Sequence, residues 1–318
     1  MNDEIKMLVN QQKLRKFAIV AQSRSDRSTE ALIAGEMGFS IDLDEPARKK
    51  VYTAAKVYRV AVEKGTNDGG KYPHLVYPIL INKSSRAAWD ELRMKQESAM
   101  EEIAKTLPCA KFVETVRGLG PLGYAVLQAE AGRPFTDYGT VSKLWKRMGV
   151  AVIDGERQQR RTNAEEAKLH GYSPKRRAQL YAFVSDTMLR GQWRGARVEC
   201  PVCAAGKAFT RKEAGIVCSA CKTVIATETA VIAPGYALGP YGEIYARRKA
   251  WTLPRIEDTK DIAMTDKEKW TGLRCENDAR RIMSKALLRD LWRVSRGLPP
   301  RGSDAPPEFV LNTELQEV

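Results

Sequence analysis

Val113-Glu-Thr-Val-Arg-Gly-Leu-Gly-Pro-Leu-Gly-Tyr-Ala-Val-Leu127 is the stretch that decides how this chain folds. It predicts a short helix, a tight turn over residues 118–120, and a second helix that opens on Pro121, since proline is favoured at the first helical position. The two glycines allow a sharp turn, and the amides that they expose at a helix start suit an anion such as a phosphate. The pattern is a helix-hairpin-helix. The alternative is an ordinary helical hairpin whose turn contacts nothing.

The composition indicates a polyanionic partner. The chain has 318 residues, with 53 Lys+Arg against 39 Asp+Glu, and a formal net charge of +14. A positive charge of this size favours nucleic acid or an anionic membrane surface. No apolar run approaches the roughly twenty residues of a membrane span, and the first residues are acidic where a signal peptide would be basic. We therefore expect no membrane contact and a cytoplasmic protein whose partner is a nucleic acid.

Four of the six cysteines form two CxxC pairs, Cys200 with Cys203 and Cys218 with Cys221. Thiolates at this spacing close a tetrahedral Zn²⁺ site, and the surrounding β-branched, glycine-punctuated segments predict a small zinc ribbon. Disulfides are the alternative, and zinc is favoured because disulfides are rare inside cells. Four thiolates leave no open position on the metal, so the zinc would be structural rather than catalytic.

The rest of the chain predicts a mainly α fold: a helical arm and a helix-hairpin-helix domain into which the small β zinc ribbon is inserted. The segments are a mostly helical N-terminal region (1–83), a helical arm (84–110), the helix-hairpin-helix domain (111–195), the zinc ribbon (196–226), C-terminal helices that complete the domain (227–297) and a disordered tail (298–318). The thin apolar seam over 84–107 suits a short coiled coil through which copies of the chain would form a homo-oligomer. A short apolar run over 75–81 allows one or two strands.

Basic residues cluster downstream of the hairpin. A loop over 155–161 and a helix start after Ser173 would extend a phosphate track, and four basic side chains recur every four residues in a helix over 277–296. Such a stripe costs helix stability through like-charge repulsion, so it is typical of a surface that meets an anion; the alternative is a solvated face neutralised by Asp278 and Asp290. The predicted nucleic-acid-binding residues are Gly118, Leu119, Gly120, Gly123, Arg157, Arg160, Arg161, Lys175, Arg176, Arg177, Arg281, Lys285, Arg289 and Arg293.

The order of several motifs carries a family resemblance. Arg117-Gly-Leu-Gly-Pro-Leu-Gly-Tyr-Ala-Val-Leu-Gln-Ala-Glu-Ala-Gly132, then Phe135, then Lys143-Leu-Trp-Lys-Arg-Met-Gly149, resembles the C-terminal domain of bridge-RNA-guided (DEDD-type) insertion-sequence transposases. The helix start at 173–180 and the helices at 241–249 and 278–292 follow in that family's order. The resemblance covers about 84–299, interrupted by the cysteine segment, which family members usually lack. It implies a recombinase domain that works on DNA with a guide RNA.

The departures from the family concern catalysis. Family members open with a RuvC-like domain whose carboxylates bind magnesium, whereas this chain offers only Asp42 and Asp44, and Asp44 is better explained as a helix cap. The family's nucleophilic serine belongs to a loop that here spans 150–160 and contains no serine, and neither Ser142 nor Ser173 matches its position. On this basis we expect no catalytic residues in this chain.

The resemblance implies a transposase-related protein that holds duplex or branched nucleic acid by its phosphate backbone, in a mobile-element or phage system. It also implies a nucleoid-associated protein of a bacterium or phage, with DNA as the favoured partner over RNA. Two alternatives stay open. One is an active transposase or recombinase whose catalytic centre the sequence does not identify. The other is an RNA-binding component of a ribonucleoprotein.

Overall fold

The computed structural model describes residues 2–195, 197–198, 200, 202–203, 209–212, 215–218, 220–225, 232–233, 235–265 and 268–302. They fall into two compact units, one over residues 2–105 and the other from Thr106 onward. Both units are built mainly of helices, as predicted, and the second also holds a small β element near 193–237. Among the described residues, no helix is both long enough and apolar enough to cross a bilayer.

The first unit consists of long helices. They are α1 (Asp3–Glu36), α2 (Glu45–Glu63) and α3 (Val76–Thr106), with a 3-10 turn at Pro73–Leu75 before α3. The Asp44 side chain accepts a hydrogen bond from the Ala47 amide at 2.8 Å, so Asp44 caps α2 as its position predicts. Ile33, Tyr58 and Ile79 lie in its core, where α1, α2 and the start of α3 meet.

Two expectations for the first unit differ from the structure. The apolar run over 75–81 forms no strand, because it closes the 3-10 turn and opens α3. Pro78 lies in the first turn of α3, where a missing backbone N–H breaks no helical hydrogen bond. The predicted arm over 84–110 is not a separate segment either, since its first 23 residues continue α3 without interruption.

The second unit is also helical. Its helices are α4 (Ala110–Thr115), α5 (Gly120–Ala131), α6 (Val141–Met148), α7 (Ala164–His170), α8 (Pro174–Phe183), α9 (Leu189–Gln192), α10 (Pro240–Thr252), α11 (Arg255–Asp258) and α12 (Gly272–Val294). A π-helical turn at Val184–Met188 joins α8 to α9. Helix α12 runs through the core against α10 and α6, and its Leu287 and Leu288 are fully buried.

Short antiparallel strands complete the second unit. They are β1 (Val152–Ile153) paired with β2 (Glu156–Arg157), β3 (Trp193–Arg194) with β9 (Tyr236–Ala237), β4 (Arg197–Val198) with β8 (Ile232–Ala233), and a three-stranded sheet of β5 (Phe209–Lys212), β6 (Gly215–Cys218) and β7 (Val224–Ile225). The cysteine segment is thus inserted between α9 and α10, and its paired strands reach Ala237, beyond the boundary at 226 that the sequence predicts.

The chain beyond α12 stays bound to that helix as far as Gly302, eight residues after Val294. The backbone amides of Arg301 and Gly302 donate to the Asp290 carboxylate at 3.1 and 3.0 Å. The sequence predicts that these residues belong to a disordered tail over 298–318, and for them that prediction is wrong. The remainder of the predicted tail, 303–318, lies outside the described residues.

Candidate functional site

The hairpin between α4 and α5 has the predicted tight turn. Gly118 and Gly120 have positive φ angles of 82° and 54°, which side chains other than glycine rarely adopt. Gly118 packs against the backbone of α9 and its preceding turn, since a Cβ placed on it would lie 2.9 Å from the Thr187 carbonyl oxygen. Gly120 is exposed, and a Cβ there would meet no atom within 4 Å. The turn therefore faces the protein at Gly118 and solvent at Gly120.

Two of the residues predicted to contact nucleic acid at the hairpin are buried instead. Leu119 is 2% exposed and belongs to the core. Gly123 lies so close to the Phe183 ring that a Cβ would be 2.3 Å from it. The role predicted for these two residues is thus corrected: both are buried, and Gly123 packs against Phe183 of α8, because α5 is buried along most of its length.

The four cysteines of the two CxxC pairs come together. Their Sγ atoms all lie within 4.8 Å of one another. Cys200 Sγ is 3.5 Å from Cys221 Sγ, and Cys203 Sγ is 3.7 Å from Cys218 Sγ. All four are free cysteines with no disulfide between them. Four thiolates around one tetrahedral Zn²⁺, each at about 2.3 Å, lie about 3.8 Å apart, so these distances fit a metal ion of that size.

The surroundings of the cysteines favour thiolates. Hydrogen bonds from Thr223, first from its side chain and then from its backbone, lower the pKa of Cys221 to about 6. A backbone hydrogen bond from Cys221 lowers the pKa of Cys218. The thiolate is the form that binds metals, so the cluster can hold a metal ion at neutral pH.

Three basic constellations that are far apart in the sequence meet around one pocket, which we call the arginine pocket. It is lined by Arg157 from β2, Arg177 from α8 and Arg281 from α12, together with Gln158, Tyr181 and Asn277. Its volume is about 360 Å³. None of the described residues that line it is acidic. The pocket is therefore a concave, cationic site within the second unit.

Asp278 lies behind the pocket and organises its charges. Its fully buried carboxylate accepts hydrogen bonds from Arg157 Nη2 at 2.6 Å, Arg281 Nη2 at 2.9 Å and Arg248 Nε at 2.5 Å. Burial alone would raise the pKa of Asp278, but the guanidiniums of Arg281, Arg157 and Arg248 hold that pKa below its usual value. Burial, and next the charge of Arg281, lower the pKa of Arg157. The three guanidiniums thus share one buried carboxylate.

Arg177 completes the pocket from α8. Its Nη1 donates to the Gln158 carbonyl oxygen at 2.9 Å, and its guanidinium lies 5.3 and 5.5 Å from the ring centres of Tyr172 and Tyr181. Ser173 caps α8 by accepting from the Arg176 amide, which fixes the direction in which this helix leaves the pocket.

The remaining basic residues of the loop and of α8 lie outside the pocket lining. Lys175 and Arg160 are exposed. Arg176 donates to the Arg147 carbonyl oxygen at 2.9 Å. Arg161 pairs with Glu156 and with Glu166. Lys175 and Arg160 therefore add exposed positive charge on the helix and the loop that also contribute arginines to the pocket.

The predicted basic stripe on α12 is not an exposed surface, and this expectation is corrected. Arg281, Lys285 and Arg289 are only 6%, 2% and 5% exposed, because α12 is the central helix of its unit. Lys285 lies 4.1 Å above the Trp145 ring, and Arg289 donates to Asp290 and to the Gly302 carbonyl oxygen. Arg293 donates to the Pro299 carbonyl oxygen. Neither a solvated face nor an exposed anion-binding stripe describes these residues. Of the four, Arg281 lines the arginine pocket.

Sequence reasoning missed a cluster of arginines and tryptophans beside Asp278. Arg248 and Arg255 lie 4.0 and 3.9 Å from the Trp251 ring centre, and Arg274 lies 4.4 Å from that of Trp270. Arg157 is also within 5.9 Å of the Trp270 ring centre. The only available signal was the alternation of arginine and tryptophan between 247 and 274, which has no periodicity to predict contact.

Each acid and serine considered for catalysis is exposed or has a local structural role. Asp42 is exposed and bonded to Ser40, and Asp44 caps α2. Ser142 is exposed on α6, and Ser173 caps α8. Within the described residues, the four cysteines are the one group found in which three or more His, Cys, Asp or Glu side chains could hold a metal.

Comparison of the chain with family models, curated proteins and solved structures finds no match to any of them. The functional argument therefore rests on the residues of this chain and on their arrangement.

Proposed function

We propose that this protein binds nucleic acid through its phosphate backbone, with the second unit as the binding module and DNA as the favoured partner. The observation that carries the proposal is the arginine pocket. Three guanidiniums from β2, α8 and α12 converge there, although their residues are up to 124 positions apart in the sequence (157 to 281). Arginine matches phosphate geometry with paired N–H donors, and this makes it the usual residue for phosphate recognition.

Two further features support a phosphate partner. The Gly120 end of the hairpin is open to solvent at the start of α5, where helix amides favour anions. Lys175 is exposed on α8, the helix that also contributes Arg177 to the pocket. These groups contact phosphates rather than base edges, so we expect affinity with little sequence preference.

For the cysteine cluster we propose one structural Zn²⁺ per chain. The four thiolates would complete the coordination of the metal, which would then fold the short strands β5 to β7 around it. A relation to insertion-sequence transposases, and a role in a mobile-element or phage system, is likewise a proposal that rests on the motifs of the hairpin and the helices that follow it.

The direct test is the binding of labelled DNA and RNA duplexes to the full chain over a series of salt concentrations. We expect the logarithm of the affinity to fall linearly with the logarithm of salt concentration. The double variant Arg157→Gln/Arg177→Gln should flatten that slope by about two units, one for each lost phosphate contact. Lys95→Gln, at an exposed position of the first unit, removes charge elsewhere and should leave the slope unchanged.

Absence of binding to any nucleic acid, or a slope that the double variant leaves unchanged, contradicts the proposal. Tighter binding of RNA than of DNA would instead favour the ribonucleoprotein alternative.

A further inference from the structure

The arginine pocket is open because small residues surround it. Gly149, Ala151 and Ala182 line it beside the three arginines. Gly149 has a positive φ of 81°, and a Cβ there would lie 3.1 Å from Arg177 Cβ. A larger residue at this position would press on the side chain that carries one of the guanidiniums. The local sequence thus leaves a space of about 360 Å³ next to three positive charges.

The guanidiniums are held in place without a ligand. Arg157 and Arg281 both donate to Asp278, and Arg177 donates to the Gln158 carbonyl oxygen. The side chain of Arg157 is nevertheless 43% exposed, so it remains accessible to a ligand. Side chains that are already ordered lose little conformational entropy on binding, which favours affinity.

Several guanidiniums at the pocket wall share one carboxylate. Asp278 is shared by the guanidiniums of Arg157, Arg248 and Arg281, and Arg177 adds another positive charge. Burying positive charges together is costly unless an anion compensates them. The site therefore suits a ligand that carries more than one negative charge.

We propose that the arginine pocket binds the terminal phosphate monoester of a nucleic-acid strand, with Arg157, Arg177 and Arg281 facing its oxygens. This inference rests on the proposed function and names the group that the pocket recognises.

A terminal phosphate fits better than an internal one for two reasons. A phosphate monoester carries about −1.5 to −2 charges at pH 7 and three strong acceptor oxygens, one for each guanidinium. A backbone phosphodiester carries one negative charge, and its two ester links must both leave the site. A terminal phosphate is linked to its strand on one side only, so the strand leaves the site in a single direction. This arrangement suits a pocket better than an open groove.

The test compares a short DNA duplex that carries a 5′-phosphate with the same duplex ending in a 5′-hydroxyl, by fluorescence polarisation with the full chain. Parallel probes carry a 3′-phosphate or are made of RNA. They show whether the pocket prefers a 5′ or a 3′ end, and DNA or RNA. We expect one phosphorylated end to bind at least about tenfold more tightly, because a single charge-assisted hydrogen bond contributes on that order. Inorganic phosphate in excess should occupy the pocket and reduce the difference in affinity between the phosphorylated and the hydroxyl probe.

Arg177→Gln should abolish the preference for the phosphorylated end. The matched control is Lys175→Gln, two residues away and exposed on the same helix, which should weaken both probes equally and keep the preference. If Arg177→Gln fails to fold, Ala182→Glu decides, since this exposed position lines the pocket and a carboxylate there should repel the phosphate.

Equal binding of the hydroxyl and phosphate ends, or a preference that survives both pocket variants, overturns the inference while leaving backbone binding intact. Failure of every probe to bind overturns the proposed function itself.

Discussion

Asp278 and Lys285 are two buried ionisable residues on α12 whose surroundings act on their charged forms in opposite ways. Asp278 receives hydrogen bonds from three arginines, and its pKa is held below the usual value. Lys285 lies two turns further along the same helix, against the Trp145 ring. Burial, followed by the charge of Arg281, lowers the pKa of Lys285 to about 7. The surroundings thus stabilise the charged form of Asp278 and destabilise the charged form of Lys285.

Lys285→Met should therefore stabilise the protein at low pH. Between about pH 7 and pH 10.4 the unfolded chain binds more protons at this residue than the folded chain, so the stability of the native protein rises with pH across that window. Below it, both states are protonated and the cost of burying the charge is complete. We expect the gain from Lys285→Met to be about 2 kcal/mol larger at pH 6 than at pH 9.

Denaturant unfolding of the native chain and of Lys285→Met at several pH values measures this difference. Lys175→Met, at an exposed position, is the control and should show no such dependence on pH. A gain that is constant with pH would mean that Lys285 keeps an ordinary pKa in the folded chain.

Cys200 offers a second test at the scale of one residue. Metal analysis of the purified protein should find one zinc per chain, and Cys200→Ser should lose most of it, because a serine hydroxyl is a poor replacement for a thiolate. Cys275→Ser changes a buried cysteine outside the cluster and should retain the metal. Full zinc content in Cys200→Ser would exclude the proposed ligand set.

At the scale of elements, the hairpin between α4 and α5 separates two roles of glycine. Gly118 allows the backbone of α9 and its preceding turn to approach, and a Gly118 carbon is itself within 2.8 Å of where a Gly191 Cβ would lie. At Gly120 the positive φ angle is the only feature that calls for glycine, since a Cβ there would have space. The same Gly-x-Gly pattern thus contains one packing position and one exposed position at the start of a helix.

Gly118→Ala should destabilise the protein more than Gly120→Ala. Both substitutions place a side chain at positive φ, which costs about 1 kcal/mol, but only the first also forces a Cβ to 2.9 Å from a carbonyl oxygen. We expect about 2 kcal/mol or more for Gly118→Ala, measured by urea unfolding. If Gly120→Ala were the more destabilising of the two, Gly118 would not be the residue that packs the turn against α9.

At the scale of the whole molecule, the two units carry different chemistry. The second holds the cysteine cluster, the arginine pocket and the hairpin. The first is made of long helices whose main buried ionic cluster joins Arg59 to Glu30 and Glu63. Pairing of chains through residues 84–107, of which 84–106 lie on α3, stays a prediction that light scattering can test.

We also expect that the chain alone performs no metal-dependent strand cleavage and no serine recombination. A two-metal nuclease needs converging carboxylates, and serine recombination needs a hydroxyl placed to attack phosphorus. Incubation with Mg²⁺ and duplex, branched or circular-junction DNA should leave every strand intact. Nicking or a covalent adduct that is lost in Asp42→Asn, Ser142→Ala or Ser173→Ala would establish the active-transposase alternative instead.

Local patterns in the sequence were sufficient for the mainly helical fold class, for the caps and for the cysteine cluster. Asp44 and Ser173 cap their helices because a side-chain oxygen needs only the amides two or three residues ahead. Each CxxC pair likewise has its two thiols close together in the chain, and the presence of two such pairs predicted that all four would meet. Such features depend on residues that are near neighbours in the chain, and a sequence contains all of that information.

The tertiary structure alone decided which basic residues are exposed and which meet. Residues spaced four apart on α12 predicted one face, but a central helix is covered on all sides, so Lys285 and Arg289 are buried. Arg157, Arg177 and Arg281 share a pocket because β2, α8 and α12 pack together, and nothing in their spacing indicates it. Periodicity fixes where a side chain points around its own helix, whereas burial and long-range contact depend on what packs against that helix.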